Sequence, residues 1–264
     1  DAIRHMQKLA AAAGLEVVLT LDPAAVWSVD PALGIPGDEV RFSLPKSQAV
    51  WERYVRKAAE RYRGRVKYWQ VREQPNARNF RGSVSEYLGL LHAAARALRT
   101  VDPAAMIILP ESVAFDPAGL EQRLRPPTGK DWDIWGAYLP ASEDLMRRVL
   151  ALSVLVTKAM PAAGRRPIWI VGAEAALPAD RWVQYYLLAS AFGVEWFFAP
   201  ADAIHADWAS VLPRLDYVGF LRLGPEVWAF VFQDQEGLAV AAWSEVEGEL
   251  PAAVLGPGAA GAEQ

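Results

Sequence analysis

The sequence predicts an α/β protein whose parallel sheet is covered by helices and followed by a short antiparallel β segment. Apolar runs of strand length alternate six times with stretches whose apolar residues recur every three or four positions. From about residue 215 the helical spacing stops, and three apolar runs follow at 217–221, 227–232 and 238–243. Hydrophobic residues make up 53% of the 264 residues, which is enough for a sizeable core.

The six predicted strands of the parallel sheet are short and bounded by turn residues. They lie at 15–21, 66–71, 105–109, 132–135, 167–171 and 194–198. A first helix precedes Gly14, and the others occupy 47–64, 83–100, 117–124, 143–160 and 180–192. Ser47 is expected to cap its helix. An open doubly wound sheet and a closed barrel both fit this alternation.

Composition excludes several classes of protein. The chain has 27 Lys and Arg against 31 Asp and Glu, a net charge of −4, so nothing predicts a nucleic-acid partner. It has no Cys and three isolated His, so neither a disulfide scaffold nor a metal site is predicted. No glycine-rich phosphate loop follows a strand, and we expect no cofactor.

The region around the second predicted strand is the most specific part of the sequence. Residues 61–76 read RYRGRVKYWQVREQPN. This segment resembles the fourth strand of the (β/α)8-barrel glycoside hydrolases of the large retaining clan, in particular the β-xylosidase/α-iduronidase-like and cellulase-like members. Two further segments are similar to the third and seventh strands of that template, namely 14–23 and 167–172.

The resemblance implies a TIM-type barrel that lacks its first two strands in this chain. It places 1–213 in an N-terminally incomplete barrel, 214–250 in an antiparallel β segment and 251–264 in a flexible tail. A barrel without two of its strands would have two open strand edges, unless other residues cover them. The sequence begins in mid-helix at Asp1, so we expect residues upstream, where a targeting or anchoring segment would lie.

The reacting carboxylates of the resembled enzymes are substituted here. The resemblance places the acid/base at Gln74 and the nucleophile at Gly172, and neither residue type can do that chemistry. The His expected two residues before Tyr138 is Gly136. These departures predict that the positions are catalytically degenerate. The fallback candidates are the nearby carboxylates Glu73 and Glu174.

Other residues near strand ends are candidates for ligand contact. Aromatic rings suit the apolar faces of sugars, and ligand sites of barrels lie at strand ends. The candidates are Trp27, Asn76, Glu111, Trp135, Tyr138 and Trp196. Arg72 replaces a residue that is usually apolar or aromatic, and we hypothesise that it pairs with Glu73 or Glu174 and plugs the cleft.

Three functions remain open on the sequence. The first is a catalytically inactive structural or binding subunit whose partner is another protein, a larger complex or a polysaccharide. The second is an active retaining hydrolase that uses Glu73 and Glu174, and the third is a non-catalytic carbohydrate-binding protein. The habits of the resembled family imply an extracytoplasmic location, periplasmic or secreted. No apolar run reaches the roughly 20 residues that a transmembrane helix needs.

Overall fold

The structure is a computed structural model. It describes residues 2–22, 26–37, 39–72, 80–110, 130–139, 167–173, 179–191, 193–197, 212–222, 227–235 and 237–244. The helices predicted at 117–124 and 143–160 and the predicted tail at 251–264 lie outside these residues. Internal contacts divide the chain into two units. One comprises Asp1–Glu174 with Glu195–Phe198, and the other Ala175–Val194 with Ala199–Gln264.

The first unit is built on a six-stranded sheet whose strands follow one another in chain order. Its strands are β1 (Val18–Leu21), β2 (Tyr68–Val71), β3 (Met106–Pro110), β4 (Ile134–Leu139), β5 (Ile168–Ala173) and β6 (Val194–Phe197). Neighbouring strands from β1 to β5 pair in parallel. The predicted parallel sheet is therefore confirmed, and within the described residues β1 and β6 are its outer strands.

Three helices of this unit are described: α1 (Ala2–Ala12), α2 (Gln48–Tyr62) and α3 (Val84–Val101). The hydroxyl of Ser47 accepts the amide of Val50, as predicted for the cap of α2. Ser83 and Glu86 form a reciprocal capping box at the start of α3, which satisfies two amides that have no partner within the helix.

Helices α2 and α3 pack side by side over the sheet. The apolar residues of α2 recur every three or four positions, so they form one buried stripe: Trp51, Val55, Ala59 and Tyr62. The indole Nε1 of Trp51 donates a buried hydrogen bond of 2.9 Å to the carbonyl of Leu90 in α3. This bond fixes the register between the two helices.

The two faces of β2 have different surroundings because side chains alternate along a strand. Trp69 faces the helices, since its ring centroid lies 6.5 Å from that of Tyr62 in α2. Tyr68 faces the opposite way and belongs to a buried cluster with residues of β3, β4 and β5, namely Ile108, Ile134 and Trp169. We call this second face, which lies opposite to α2 and α3, the inner face of the sheet.

The second unit contains one described helix, α4 (Ala179–Ala191), and a three-stranded antiparallel sheet. The strands are β7 (Asp216–Arg222), β8 (Val227–Gln233) and β9 (Leu238–Ser244), with β8 in the centre. Residues Phe230 and Phe232 of β8 are buried, and α4 contacts β7. The predicted antiparallel segment is thus confirmed as a separate sheet.

Candidate functional site

The carboxyl ends of the parallel strands are where barrel enzymes place their ligands. Here Asp22 follows β1 directly and Arg72 follows β2 directly. Because Leu21 and Val71 are Cα partners in the parallel pair, these two following residues are brought to the same level of the sheet. At the end of β4 and β5, Tyr138 and Gly172 are Cα partners beyond a register shift.

An aromatic cluster lies on the inner face of the sheet. The rings of Trp169 and Trp196 are stacked, with centroids 4.9 Å apart and an interplanar angle of 18°. Tyr68 meets Trp169 edge-on at 4.7 Å and Trp196 at 6.1 Å. Tyr68 and Trp169 are buried, whereas Trp196 is 38% exposed. Trp196 therefore combines an ordered ring with solvent access, as a stacking platform requires.

A polar pair lies one level closer to the carboxyl ends. Thr20, Gln70 and Ile108 are Cα partners across β1, β2 and β3, so they share the inner face with Tyr68. Gln70 is 4% exposed, and its Nε2 forms no hydrogen bond with any residue that the structure describes. The inner face of β2 thus changes from aromatic to amide between residues 68 and 70.

Arg72 is buried at the end of β2. Its Nη1 lies 2.5 Å from Oδ1 of Asp22 and also donates to the carbonyl oxygen of Arg41, at 2.5 Å. Its guanidinium carbon stands 5.5 Å from the ring centre of Phe42. The backbone amide of Arg72 donates to the carbonyl of Leu21, at 2.9 Å. Arg72 therefore joins the ends of β1 and β2 to the loop that follows β1.

Burial and charge act on Arg72 in opposite directions. Burial lowers the pKa of its guanidinium below the ordinary value, and the charge of Asp22 raises it in part. An arginine stays protonated in proteins, so the group is a buried cation. Asp22 also acts on the neighbouring Tyr54. Burial is the main cause that raises the pKa of Tyr54 above its ordinary value of 10.0, and the negative charge of Asp22 raises it further.

The loops after β1 and β2 are joined at a second place. The amide of Arg81 donates to the carbonyl of Phe42 at 2.8 Å, and its guanidinium forms an ion pair with Glu39. Phe42 closes a 3-10 turn, Val40–Phe42, whose Val40 is buried. Arg72 and Arg81 therefore both donate hydrogen bonds to this turn. The turn forms one wall of the candidate site at the carboxyl ends of β1 and β2.

The predicted ligand-contact residues are found in different environments. Trp27 is 55% exposed, and its ring centroid is 6.0 Å from that of Tyr54. Trp135 is fully buried and packs edge-on against Trp132 at 6.1 Å, so its ring does not face solvent. Tyr138 is placed by its backbone at the end of β4. The remaining candidates lie outside the described residues: Glu73, Gln74, Asn76, Glu111 and Glu174.

Asp22 is the functional candidate that the sequence reading missed. Among the described residues, Arg72 pairs with Asp22. Glu73 and Glu174 lie outside these residues, so the pairing of Arg72 with either of them stays a prediction. The available signal was that Asp22 directly follows a strand next to the one that ends at Arg72. A retaining glycosidase needs two carboxylates about 5–5.5 Å apart. The carboxylate of Asp22 is engaged by the guanidinium, and Gly172 offers no side chain at the end of β5.

Two other properties concern ions and membranes. Among the described residues, no group of three or more His, Asp or Glu is arranged to hold a metal ion. None of the described helices combines the length and hydrophobicity that crossing a bilayer would require.

Solved structures with a similar fold are glycoside hydrolases. A family 39 glycoside hydrolase from Bacteroides cellulosilyticus WH2 aligns with a TM-score of 0.69 and 15% identity, over 92% of this chain and 60% of that one. A GH39 β-xylosidase from Caulobacter crescentus aligns with a TM-score of 0.56 and 16% identity, over 93% and 64%. An endo-1,4-β-mannanase from Rhizomucor miehei aligns with a TM-score of 0.56 and 12% identity, over 80% of this chain and 73% of that one.

These similarities show the fold of the chain, which contains a partial TIM barrel. The chain spans about three fifths of the length of the first of these structures. No known protein family matches the sequence, and no curated protein matches it. At these identities the likeness concerns the fold.

Proposed function

We propose that this protein is a catalytically inactive, glycoside-hydrolase-like structural or binding subunit. The observation that carries the proposal is Gly172, the second-last residue of β5, which lies opposite Tyr138 and occupies the position that the resemblance gives to the nucleophile. A glycine cannot attack a sugar carbon. Gln74, at the acid/base position, has no proton to donate near neutral pH. The proposed partner is another protein or a larger extracytoplasmic or membrane-associated complex.

The rim of the candidate site supports this proposal. The carboxylate next to the strand ends, Asp22, is consumed by an ion pair with a buried arginine, so it does not act as a free general base. Hydrogen bonds also tie the adjoining loops to each other through Arg81. A surface whose described carboxylate is already engaged by a cation suits recognition better than bond cleavage.

An activity assay separates this proposal from the active hydrolase that uses Glu73 and Glu174. The purified protein is incubated with a panel of aryl glycosides, beside the variants Glu73→Gln and Glu174→Gln. Glu60→Gln, on the exposed face of α2, is the matched control for loss of a carboxylate. We expect the wild-type protein to show no turnover of any aryl glycoside, and therefore no difference from the Glu73→Gln and Glu174→Gln variants. A rate that falls in Glu73→Gln or Glu174→Gln but not in Glu60→Gln would establish the enzyme and refute the proposal.

The isolation context tests the structural half of the proposal. The tagged protein is recovered from its native source under mild conditions, and co-purifying chains are identified and quantified. We expect a stoichiometric partner that remains bound after added oligosaccharide. A protein recovered alone, at the size of one chain, would speak against a subunit role.

One observation favours a second candidate, a non-catalytic carbohydrate-binding protein. Trp196 is 38% exposed and is stacked on Trp169, an arrangement that presents one ring to a ligand. Titration with xylohexaose and mannohexaose would then quench tryptophan fluorescence, and Trp196→Ala would abolish the change. Trp69→Phe is the control, because Trp69 is buried on the helix-facing side of β2.

A further inference from the structure

We propose that Arg72 is a positioning residue that fixes the loop after β1 against the end of β2 and so determines the shape of one wall of the candidate site. The inference rests on the proposed function only in taking that wall as a recognition surface. Its structural content stands on the contacts of Arg72 with Asp22, Arg41 and Phe42.

The backbone of Arg72 is the first support. Its φ is +57°, and it is the non-glycine residue with positive φ among those that the structure describes. A side chain in this conformation raises the energy of the backbone and persists only where the surroundings impose it. Such residues concentrate at binding and catalytic sites, so the strain at the end of β2 points to a local role.

The burial of the two charges is the second support. The Arg72 side chain is 5% exposed, whereas that of Asp22 is 56% exposed. Removing a guanidinium from water is costly, and an exposed pair would avoid that cost. Among the described residues, two acceptors and an aromatic face compensate this cost, and they come from two segments: the end of β1 and the turn at Val40–Phe42. Burying the Arg72 guanidinium therefore fixes the position of the turn at Val40–Phe42.

The turn at Val40–Phe42 is held on successive carbonyl groups. Arg72 Nη1 donates to the carbonyl of Arg41, and the amide of Arg81 donates to the carbonyl of Phe42. Loss of the first contact should therefore weaken the second. The Arg81 amide is a local reporter of the wall, because its protection from exchange depends on the turn remaining in place.

A second arginine–aspartate pair provides a matched control. Nη2 of Arg99 in α3 lies 2.9 Å from Oδ2 of Asp133, which precedes β4 and also accepts the amide of Ile107. This pair is partly buried and lies at the amino ends of β3 and β4, away from the wall. Its removal perturbs stability without touching the turn at Val40–Phe42.

The test is hydrogen exchange on the full chain, measured for Arg72→Met, Arg72→Gly, Arg72→Lys and Arg99→Met. We expect the protection of the Arg81 amide to fall on the order of tenfold in Arg72→Met and by less in Arg72→Lys. Arg72→Gly relieves the backbone strain, so its global stability is better preserved, yet its Arg81 amide should be as unprotected as in Arg72→Met.

Two results would overturn the proposal. One is unchanged protection of Arg81 in Arg72→Gly and Arg72→Met, and the other is an equal loss in Arg99→Met, which would mark a general loss of stability. Xylohexaose binding, measured separately on the wild-type protein, reports on carbohydrate recognition. If the wild-type protein does not bind xylohexaose, carbohydrate recognition is refuted, and the hydrogen-exchange result still decides whether Arg72 positions the turn.

Discussion

The guanidinium of Arg72 is almost completely buried, while its ion-pair partner Asp22, 2.5 Å away, is more than half exposed. The cation therefore depends on the anion more than the anion depends on the cation. Asp22 can regain water when the pair breaks, but Arg72 cannot without moving. This asymmetry predicts that loss of Asp22 destabilises the junction between the end of β2 and the turn at Val40–Phe42.

Replacing Asp22 by Ala is therefore expected to lower the free energy of unfolding by about 1–3 kcal/mol, because a buried cation loses its charged acceptor. Urea unfolding at neutral pH measures it. The control is Glu60→Ala, which breaks the ion pair with Lys57. In that pair the side chain of Glu60 is 47% exposed and that of Lys57 is 76% exposed. That change should cost less than about 0.5 kcal/mol. Equal losses in the two variants would contradict the asymmetry.

The capping box of α3 gives a second prediction. Ser83→Ala removes the acceptor for the amide of Glu86 and should cost about 1 kcal/mol, measured by urea unfolding. Ser47→Ala, at the start of α2, removes a single cap bond and is the matched comparison. Because the Ser83 hydroxyl also donates to Oε2 of Glu86 at 2.8 Å, Ser83→Ala removes two hydrogen bonds, and its loss should be at least as large as that at Ser47.

The same box predicts a pH dependence. Hydrogen bonds from the backbone and side chain of Ser83 lower the pKa of Glu86 from 4.5. Its contribution to stability is thus fully present above 4.5 and is lost as the pH falls through the lower folded-state pKa. Glu86→Gln should remove this part of the acid dependence. An identical pH profile of unfolding in wild type and Glu86→Gln would refute it.

The packing of α2 on α3 gives a fourth prediction. Trp51→Phe deletes the 2.9 Å bond to Leu90 but keeps most of the buried ring, so we expect a loss of about 1–2 kcal/mol. Trp51→Ala also leaves a cavity and should cost about 3–5 kcal/mol. Trp27→Phe is the control, since Trp27 is 55% exposed and its replacement should change stability by under about 0.5 kcal/mol. Thermal and urea unfolding would both report the order.

Local signals in the sequence were sufficient for most of the fold. Ser47 precedes a stripe of apolar residues spaced by three and four, and that pattern alone located α2 and its cap. The strands were located within a few residues, because each is an apolar run between turn residues; β2 begins at Tyr68 rather than at Val66. These features depend on neighbours in the chain, which the sequence displays directly.

The partner of Arg72 could not be read in the same way. Asp22 and Arg72 are 50 positions apart, and they meet because the register pairs Leu21 with Val71. In the sequence, the carboxylate nearest to Arg72 is that of Glu73, so proximity along the chain points to Glu73 rather than to Asp22. The positive φ of Arg72 is equally hidden, because glycine is the residue type that normally announces that conformation.

The amide of Gln70 provides the last prediction. Its Nε2 is buried on the inner face of β2 without a hydrogen bond to a described residue, so methionine, which has a similar shape, should replace it at no cost or with a gain of up to about 1 kcal/mol. Gln70→Ala should instead lose roughly 2 kcal/mol through the cavity it leaves. Ile108→Val, at the paired position of β3, calibrates the packing of this level at about 1 kcal/mol.

Urea unfolding of the three variants decides the matter. If Gln70→Met costs as much as Gln70→Ala, the carboxamide makes a favourable polar contact in the folded protein, and the prediction fails. If Gln70→Met is as stable as the wild type, the amide contributes nothing to folding. A buried polar group that contributes nothing to folding calls for another role, and its position between the aromatic cluster and the strand ends then makes it a contact residue to test with xylohexaose.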